Sequence, residues 1–157
     1  MRTIIIYSTK YGSAGNAAEM LKANMDGEVR VVNIMQEEIP SLDDYDNIIL
    51  GGSIYIGKIQ KRLSKFVDKN LPILMKKTIG LFICAGEKEE VRIKELESAF
   101  PVELYHHAIC KEIFGYEIHY DKLNFLEKKM AGAVLGHKQN HSELSEEKIK
   151  AFAKAMQ

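Results

Sequence analysis

The residues best suited to chemistry in this sequence follow an apolar run near its start. That run, residues 3–7, ends in small, hydroxylated and glycine residues, after which helix-forming sequence begins. A β-branched run of this kind predicts a strand buried on both faces, and the apolar residues beyond it share one face of a helix. The first N–H groups of such a helix are unpaired and partly positive, so Thr9, Gly12 and Ser13 can hold an anion close to the backbone. The turn therefore predicts a phosphate site, with simple capping of the helix by its hydroxyls as the alternative.

The spacing excludes two familiar phosphate-binding loops. The Walker sequence G-x-x-x-x-G-K-[ST] is absent, and Gly12 with Gly15 does not make the dinucleotide pattern G-x-G-x-x-G. The kind of phosphate ligand has to be inferred from other parts of the chain.

Two further loops follow buried strands and are expected at the same edge of a sheet. The apolar run 47–50 leads into a glycine-rich loop, Gly51–Lys58, and the run 78–85 leads into Gly86 and Glu87. In an open parallel sheet, ligands bind at the carboxyl ends of the strands. Tyr55 offers an aromatic face that can stack on a flat ring and exclude water from it, with packing at a strand end as the alternative.

Composition and charge limit the class of protein. The chain has 157 residues, 46% of them apolar and 28% charged, which is typical of a soluble domain that needs no disulfide or metal. Its formal charge is zero, so nothing indicates nucleic-acid binding. Cys84 and Cys110 lie in apolar runs, as free thiols do in a reducing cytoplasm. The adjacent His106 and His107 would point to opposite faces of a strand, so they could not both bind one metal ion. No signal peptide or membrane-spanning run is evident, so the expected location is the cytoplasm.

The order of the predicted elements indicates the fold class. Strands and helices alternate, which right-handed crossovers build into an α/β three-layer sandwich, and five strands in a short chain favour the sheet order 2-1-3-4-5. In that order the first and third strands diverge at the switch point, where ligands bind. A single domain over residues 1–157 is expected. A response-regulator receiver shares the sheet order but needs acidic residues where this chain has Ser8 and Gly51, so that class is excluded.

Several boundaries can be predicted in the middle of the chain. Residues 28–34 alternate polar and apolar side chains, which predicts an edge strand. The helix that follows the second loop is expected to end at residues 70–72, because proline disfavours helix continuation. Residues 103–117 contain two short apolar runs and are expected to form one interrupted final strand.

The last part of the chain predicts two helices. Leu123, Leu126, Met130 and Val134 define the first, which fades at Gly136. We expect its apolar face to pack on the sheet, with binding to a membrane surface or a partner, aided by its lysines, as the alternative. A linker over residues 137–142 then leads to a final helix capped by Ser145.

Four segments of this sequence resemble the flavodoxin family. They are YSTKYGSAGNAA, LGGSIYIGKIQKRLSKFV, IGLFICAG and FGYEIHYDKLNFLEKKMAG. The second and fourth are the more specific, and they are similar to the branch of flavodoxin-domain proteins that includes the quinone-dependent protoporphyrinogen dehydrogenase. The likeness covers nearly all of the chain.

The resemblance implies FMN as the cofactor. It places the phosphate in the first loop and the isoalloxazine ring between the second and third loops. Most flavodoxin phosphate loops end in threonine where this chain has alanine, so one hydroxyl contact is missing. The residues it implies for cofactor binding are Thr9, Lys10, Tyr11, Gly12, Ser13, Ala14, Gly52, Ser53, Ile54, Tyr55, Ile56, Gly57, Lys58, Ala85, Gly86 and Glu87.

The function that the resemblance favours is electron transfer between redox partner proteins or to a quinone, without a catalytic acid or base. A protoporphyrinogen dehydrogenase-like enzyme is the alternative, and a cofactor-free interaction module of the same fold is the second. A lysine at position 58, where acidic flavodoxins often carry a carboxylate, would favour the reduced anionic flavin if it lies near the ring. The two reduction steps would then lie closer together than in acidic flavodoxins.

Overall fold

A five-stranded parallel sheet forms the centre of the structure, which is a computed structural model describing residues 1–10, 13–136 and 139–157, with the backbone alone at 134 and 135. The neighbouring strands follow the order β2-β1-β3-β4-β5, as the alternation of elements predicts. Residues 4–6 of β1 and 48–50 of β3 are fully buried, so both faces of the sheet are covered. The strands are β1 (Arg2–Ser8), β2 (Glu28–Asn33), β3 (Asn47–Ser53), β4 (Thr78–Cys84) and β5 (Cys110–Ile113).

Helices pack on the two faces of this sheet and complete the predicted three layers. One face is covered by α1 (Ser13–Ala23) and α6 (Glu146–Ala155), the other by α2 (Lys61–Leu74), α3 (Glu89–Ala99) and α4 (Val102–His107). On the first face the rings of Phe82 and Phe114 stack with centroids 5.0 Å apart, and Phe152 meets both edge-on. Ser145 caps α6 by accepting a hydrogen bond from Lys148 N at 3.2 Å, as predicted.

The strand predicted over residues 103–117 was wrong over most of its length. Residues 102–107 form α4, and only Cys110–Ile113 pair with β4. Leu104 is fully buried while its neighbours at 102, 103 and 106 are exposed, so a helical face rather than an alternating strand face is buried here. His106 and His107 therefore lie in the last turn of a helix and not in a strand. Among the described residues no cluster of metal-ligating side chains occurs.

Helix α2 continues through Pro72 to Leu74 instead of ending at residues 70–72. A proline removes one backbone donor, but Pro72 is exposed and lies within the last turn. Leu74 is fully buried, and its packing holds that turn in place.

After β5 the chain leaves the sheet, and it packs on the sheet again in α6. We call the intervening residues 117–142 the excursion. It contains β6 (Glu117–Ile118) and β7 (His141–Ser142), which pair antiparallel, so residues 137–142 are not simply a linker. Positions 137 and 138 of that expectation lie outside the described residues. Between the two strands are a short 3-10 turn, then α5 (Phe125–Met130) and a π-helical turn (Ala131–Leu135) that ends at Gly136.

The expectation that this helix packs its apolar face on the sheet was wrong at Leu126 and Met130. Leu126 is 66% exposed, Met130 37% and the neighbouring Phe125 83%. The reason is that α5 begins at Phe125 and runs for only six residues, so its buried side faces the sheet edge with Glu127 rather than with Leu126. Within the described residues no helix combines the length and apolarity needed to cross a bilayer.

Helix α3 carries a carboxylate into the interior at Glu95, which is 8% exposed. Its Oε1 atom is buried and has no hydrogen-bond partner. Burial raises the pKa of Glu95, the nearby charge of Glu87 raises it further, and Arg92 acts in the opposite direction. The charged form of this side chain is therefore held at a cost to stability.

The connection from β5 to the excursion passes through Gly115, where a side chain has no room. Its φ is +95°, and a Cβ there would collide with the backbone carbonyl of Glu143. We expect Gly115→Ala to lower the free energy of unfolding by about 2 to 4 kcal/mol, from backbone strain plus the collision. Gly136→Ala is the matched control, because Gly136 also has a positive φ, +73°, but open space around it, and should cost about 1 kcal/mol. Equal losses in urea denaturation would contradict the contact.

Glu95 gives a prediction about the pH dependence of stability. A raised carboxyl pKa means that the folded protein holds the proton more tightly than the unfolded chain, so the contribution of Glu95 to stability falls as pH rises above about 4.5. The stability of Glu95→Gln relative to wild type should therefore increase between pH 4 and pH 7.5, as measured by urea denaturation. Glu97→Gln, an exposed change on the same helix, should show no such trend.

Candidate functional site

A cavity of about 270 Å³ lies at the carboxyl edge of the sheet, where the loops after β1, β3 and β4 meet. The three loops supply nine of the predicted residues to its wall: Lys10, Ser13, Ser53, Ile54, Tyr55, Ile56, Gly57, Gly86 and Glu87. This is the switch point between the first and third strands of the sheet. The structure thus brings the three predicted loops to one site.

The other predicted residues do not line the cavity. Thr9, Ala14, Gly52, Lys58 and Ala85 lie outside its wall, and Tyr11 and Gly12 lie outside the described residues. Ala14, Gly52 and Ala85 are buried, and a Cβ at Gly52 would lie 2.9 Å from Ser8 Oγ, so close packing against β1 requires glycine there. Lys58 is exposed, and its predicted influence on a bound ring stays a prediction.

The hydroxyl groups of the first loop are joined to neighbouring segments. Ser53 Oγ accepts a hydrogen bond from Ala14 N at 3.0 Å and lies 3.0 Å from Thr9 Oγ1. Ser13 Oγ donates to the carbonyl of Glu117 at 2.9 Å and accepts from the N–H of the same residue. The N–H of Ala14, one of the helix-start donors, is therefore paired with Ser53 from the second loop.

The second loop turns sharply between Tyr55 and Lys58. Tyr55 N donates to Lys58 O at 2.9 Å and Lys58 N donates to Tyr55 O at 3.2 Å, closing a two-residue turn. The residues at its centre, Ile56 and Gly57, have φ angles of +50° and +75°. Positive φ is unfavourable for a β-branched residue, so the turn holds Ile56 in a strained conformation with its side chain at the cavity wall and 66% exposed.

A cluster of three side chains crosses the cavity mouth. Lys10 Nζ lies 2.8 Å from Glu127 Oε2, and Tyr55 OH donates to that same oxygen at 2.6 Å. The Lys10 ammonium also lies 3.8 Å from the centre of the Tyr55 ring, a cation–π contact. One face of the ring that was expected to stack on a ligand is thus covered by Lys10.

The excursion and α3 supply the part of the wall that the sequence did not predict: Glu95, Glu117, Ile118, Leu123, Glu127, Met130 and Ala131. One signal could have pointed to Glu127. The pattern Asn124-x-x-Glu127 is a capping box, which places a carboxylate at the start of a helix, and both of its hydrogen bonds are present. Nothing in the sequence indicates that this helix start faces the loops of the sheet.

The wall combines apolar side chains with carboxylates. Glu117 Oε1 accepts from Asn16 Nδ2 at 2.6 Å and its Oε2 accepts from Ser142 Oγ at 3.1 Å, which ties the excursion to α1. With Glu87, Glu95 and Glu127, four glutamates and one lysine line the cavity among the described residues. Such a wall suits a flat apolar ligand with polar edges.

The thiol nearest to the third loop is not available for chemistry. Cys84 is buried at the end of β4, and burial raises the pKa of its thiol far above its ordinary value. A neutral buried thiol packs as a small apolar group.

Comparison with known proteins relates this architecture to one family. A family model described as a flavodoxin domain matches residues 4–145. Over 73 residues the chain is 29% identical to protoporphyrinogen IX dehydrogenase (quinone) of Escherichia coli (strain K12). That alignment covers 45% of this chain and 40% of the relative, so the match spans less than half the length of either protein.

Solved structures share the fold over almost the whole chain. The oxidised flavodoxin 1 from Bacillus cereus superposes with a TM-score of 0.58 at 16% identity, covering 99% of this chain and 97% of that one. A Fusobacterium nucleatum flavodoxin bound to flavin mononucleotide superposes with a TM-score of 0.51 at 13% identity, covering 98% and 95%. With the family model matching most of its length, the chain belongs to the family of flavodoxin-domain proteins.

Proposed function

We propose that the cavity binds FMN and that the protein passes electrons between partner proteins or to a quinone. The observation that carries this proposal is the meeting of the loops after β1, β3 and β4 around one partly apolar cavity at the switch point of the sheet. Membership of the flavodoxin-domain family supports it, as does the FMN bound to the Fusobacterium nucleatum flavodoxin.

The residues present fit such a cofactor. The first loop combines a helix start with Lys10 and Ser13, which suits a phosphate. Ile54, Ile56 and Met130 offer apolar surface to a flat ring, while Glu87 and Gly86 provide polar groups at its edge. FMN would supply the redox chemistry, and the chain would hold it, exclude water and set its potential.

Electron transfer is favoured over a dedicated dehydrogenase activity because the flavodoxin-domain model matches residues 4–145, whereas the alignment with the dehydrogenase covers only 73 residues. A quinone-dependent dehydrogenase acting on a porphyrinogen is the second candidate, supported by the Escherichia coli relative. A cofactor-free interaction module is the third. A reducing cytoplasm agrees with the free thiols at Cys84 and Cys110.

The outer side of α5 is the surface we propose for redox partners. Phe125 and Leu126 are exposed there, with Lys122, Lys128 and Lys129 beside them in the sequence. Because α5 also contributes to the cavity wall through Glu127, an acceptor docked on it would lie close to the bound ring. Peripheral contact with an anionic membrane is the alternative use of this surface.

Flavin titration tests the cofactor and the phosphate loop together. The purified protein should absorb in the blue or take up FMN when titrated. Thr9→Val should weaken FMN about 10- to 30-fold, because one hydrogen bond to a charged group contributes about 1.5 to 2 kcal/mol, and riboflavin less than 2-fold. Thr78→Val, at the opposite edge of the sheet, is the matched control and should change neither affinity. Equal weakening of both flavins by Thr9→Val would count against the phosphate assignment, and failure to bind either flavin would favour the interaction module.

The charges at the wall give a prediction about the reduction potential. Glu87 lines the cavity and its charge disfavours an anionic reduced flavin, whereas Lys58 is exposed and screened by water. Glu87→Gln should raise the two-electron midpoint by about 10 to 20 mV, equivalent to about 0.5 to 1 kcal/mol of screened repulsion. Lys58→Gln should shift it by less. Spectroelectrochemical titration measures both, and a larger shift at Lys58 would restore the original expectation that its ammonium lies near the ring.

A further inference from the structure

We propose that Glu127 is the residue that sets how strongly this site prefers a phosphorylated ligand, by holding the charge of Lys10 and fastening α5 over the cavity. The inference rests on the proposed function, because it concerns the same site. In this proposal Glu127, a residue of the excursion, competes with a ligand phosphate for the positive charge of Lys10.

The first observation is the environment of Glu127. Its side chain is 5% exposed, and each of its two oxygens has a defined partner. Oε1 accepts from Asn124 N at 3.0 Å, while Oε2 accepts from Tyr55 OH and lies beside Lys10 Nζ. A buried carboxylate held at both oxygens cannot move away without leaving several polar groups unpaired, so its position is well defined.

The second observation is where its partners lie. Lys10 belongs to the loop after β1 and Tyr55 to the loop after β3, so one carboxylate joins α5 to both loops that form the switch-point site. Lys10 is the one cation in the described wall of the cavity. A phosphate bound at the first loop therefore shares an ammonium that Glu127 already partly neutralises.

Two consequences follow from this geometry. Removing the negative charge of Glu127 leaves more of the Lys10 charge for a phosphate, so phosphate binding is strengthened. It also removes the ion pair that holds α5, so the amides of residues 125–130 become less protected from exchange. A residue that only packed the excursion in place would produce the second effect without the first.

The test compares Glu127→Gln with the wild type in the full chain. Inorganic phosphate is titrated by isothermal calorimetry, and FMN and riboflavin are titrated by fluorescence. We expect Glu127→Gln to bind phosphate at least 3-fold more tightly and to raise the ratio of FMN to riboflavin affinity by a similar factor. The double variant Lys10→Met/Glu127→Gln should lose both gains. Glu97→Gln and Lys94→Met, which change single exposed charges of α3 outside the cavity wall, are the matched controls.

Hydrogen exchange of the ligand-free protein tests the fastening of α5 separately. Glu127→Gln and Lys10→Met should each speed amide exchange of residues 125–130 several-fold. The double variant should exchange little faster than either single variant, because both changes remove the same Lys10–Glu127 ion pair. Unchanged phosphate affinity in Glu127→Gln, or additive exchange in the double variant, would overturn the proposal. Absence of flavin binding together with tighter phosphate binding would refute FMN as the cofactor while supporting the role of Glu127.

Discussion

The parallel pairing of β1 with β3 is the constraint on which the rest of the site depends. Ile5 lies opposite Ile49 and Ser8 opposite Gly52, so the two strands end side by side at the same edge. Their crossovers lead to opposite faces, since α1 covers one face and α2 the other. The chain therefore separates at this edge and leaves a crevice between two loops.

Close packing of backbone around this pairing explains where glycine is used. A Cβ at Gly51 would run into the ring of Phe82, and one at Gly52 would press on Ser8 and Ile59. Both glycines lie outside the cavity wall. They allow β3 to lie close to its neighbours, which brings Ser53 within hydrogen-bond distance of both Thr9 and Ala14. The loops after β1 and β3 are thus parts of one hydrogen-bonded unit.

The excursion supplies the part of the cavity wall that the loops of the sheet leave open. At Gly115 the chain turns away from the sheet. The strands β6 and β7 then pair with each other, and α5, which lies between them in the chain, contributes to the cavity wall. The carboxylates it carries are matched by protein donors: Asn16 and Ser142 for Glu117, and Lys10, Tyr55 and Asn124 for Glu127. Because buried charges are costly unless paired, these contacts hold the excursion against the sheet edge while leaving Phe125 and Leu126 on the outside.

The sequence by itself determined the central sheet, its order, the faces of α1 and α6, and the three loops that form the site. These follow from local patterns: β-branched runs that must be buried, glycine and hydroxyl residues at strand ends, and helical apolar spacing.

Tertiary structure decided the rest. Residues 103–109 contain an apolar run that suits strand or helix equally, and burial of Leu104 against the sheet selected the helix. Glu127 could be recognised from its capping box as the start of a helix, but its place at the cavity depends on contacts with Lys10 and Tyr55, which lie 117 and 72 positions away in the chain. Pairings across such separations leave no periodic trace in a single sequence, because they are set by how the excursion folds back onto the sheet edge.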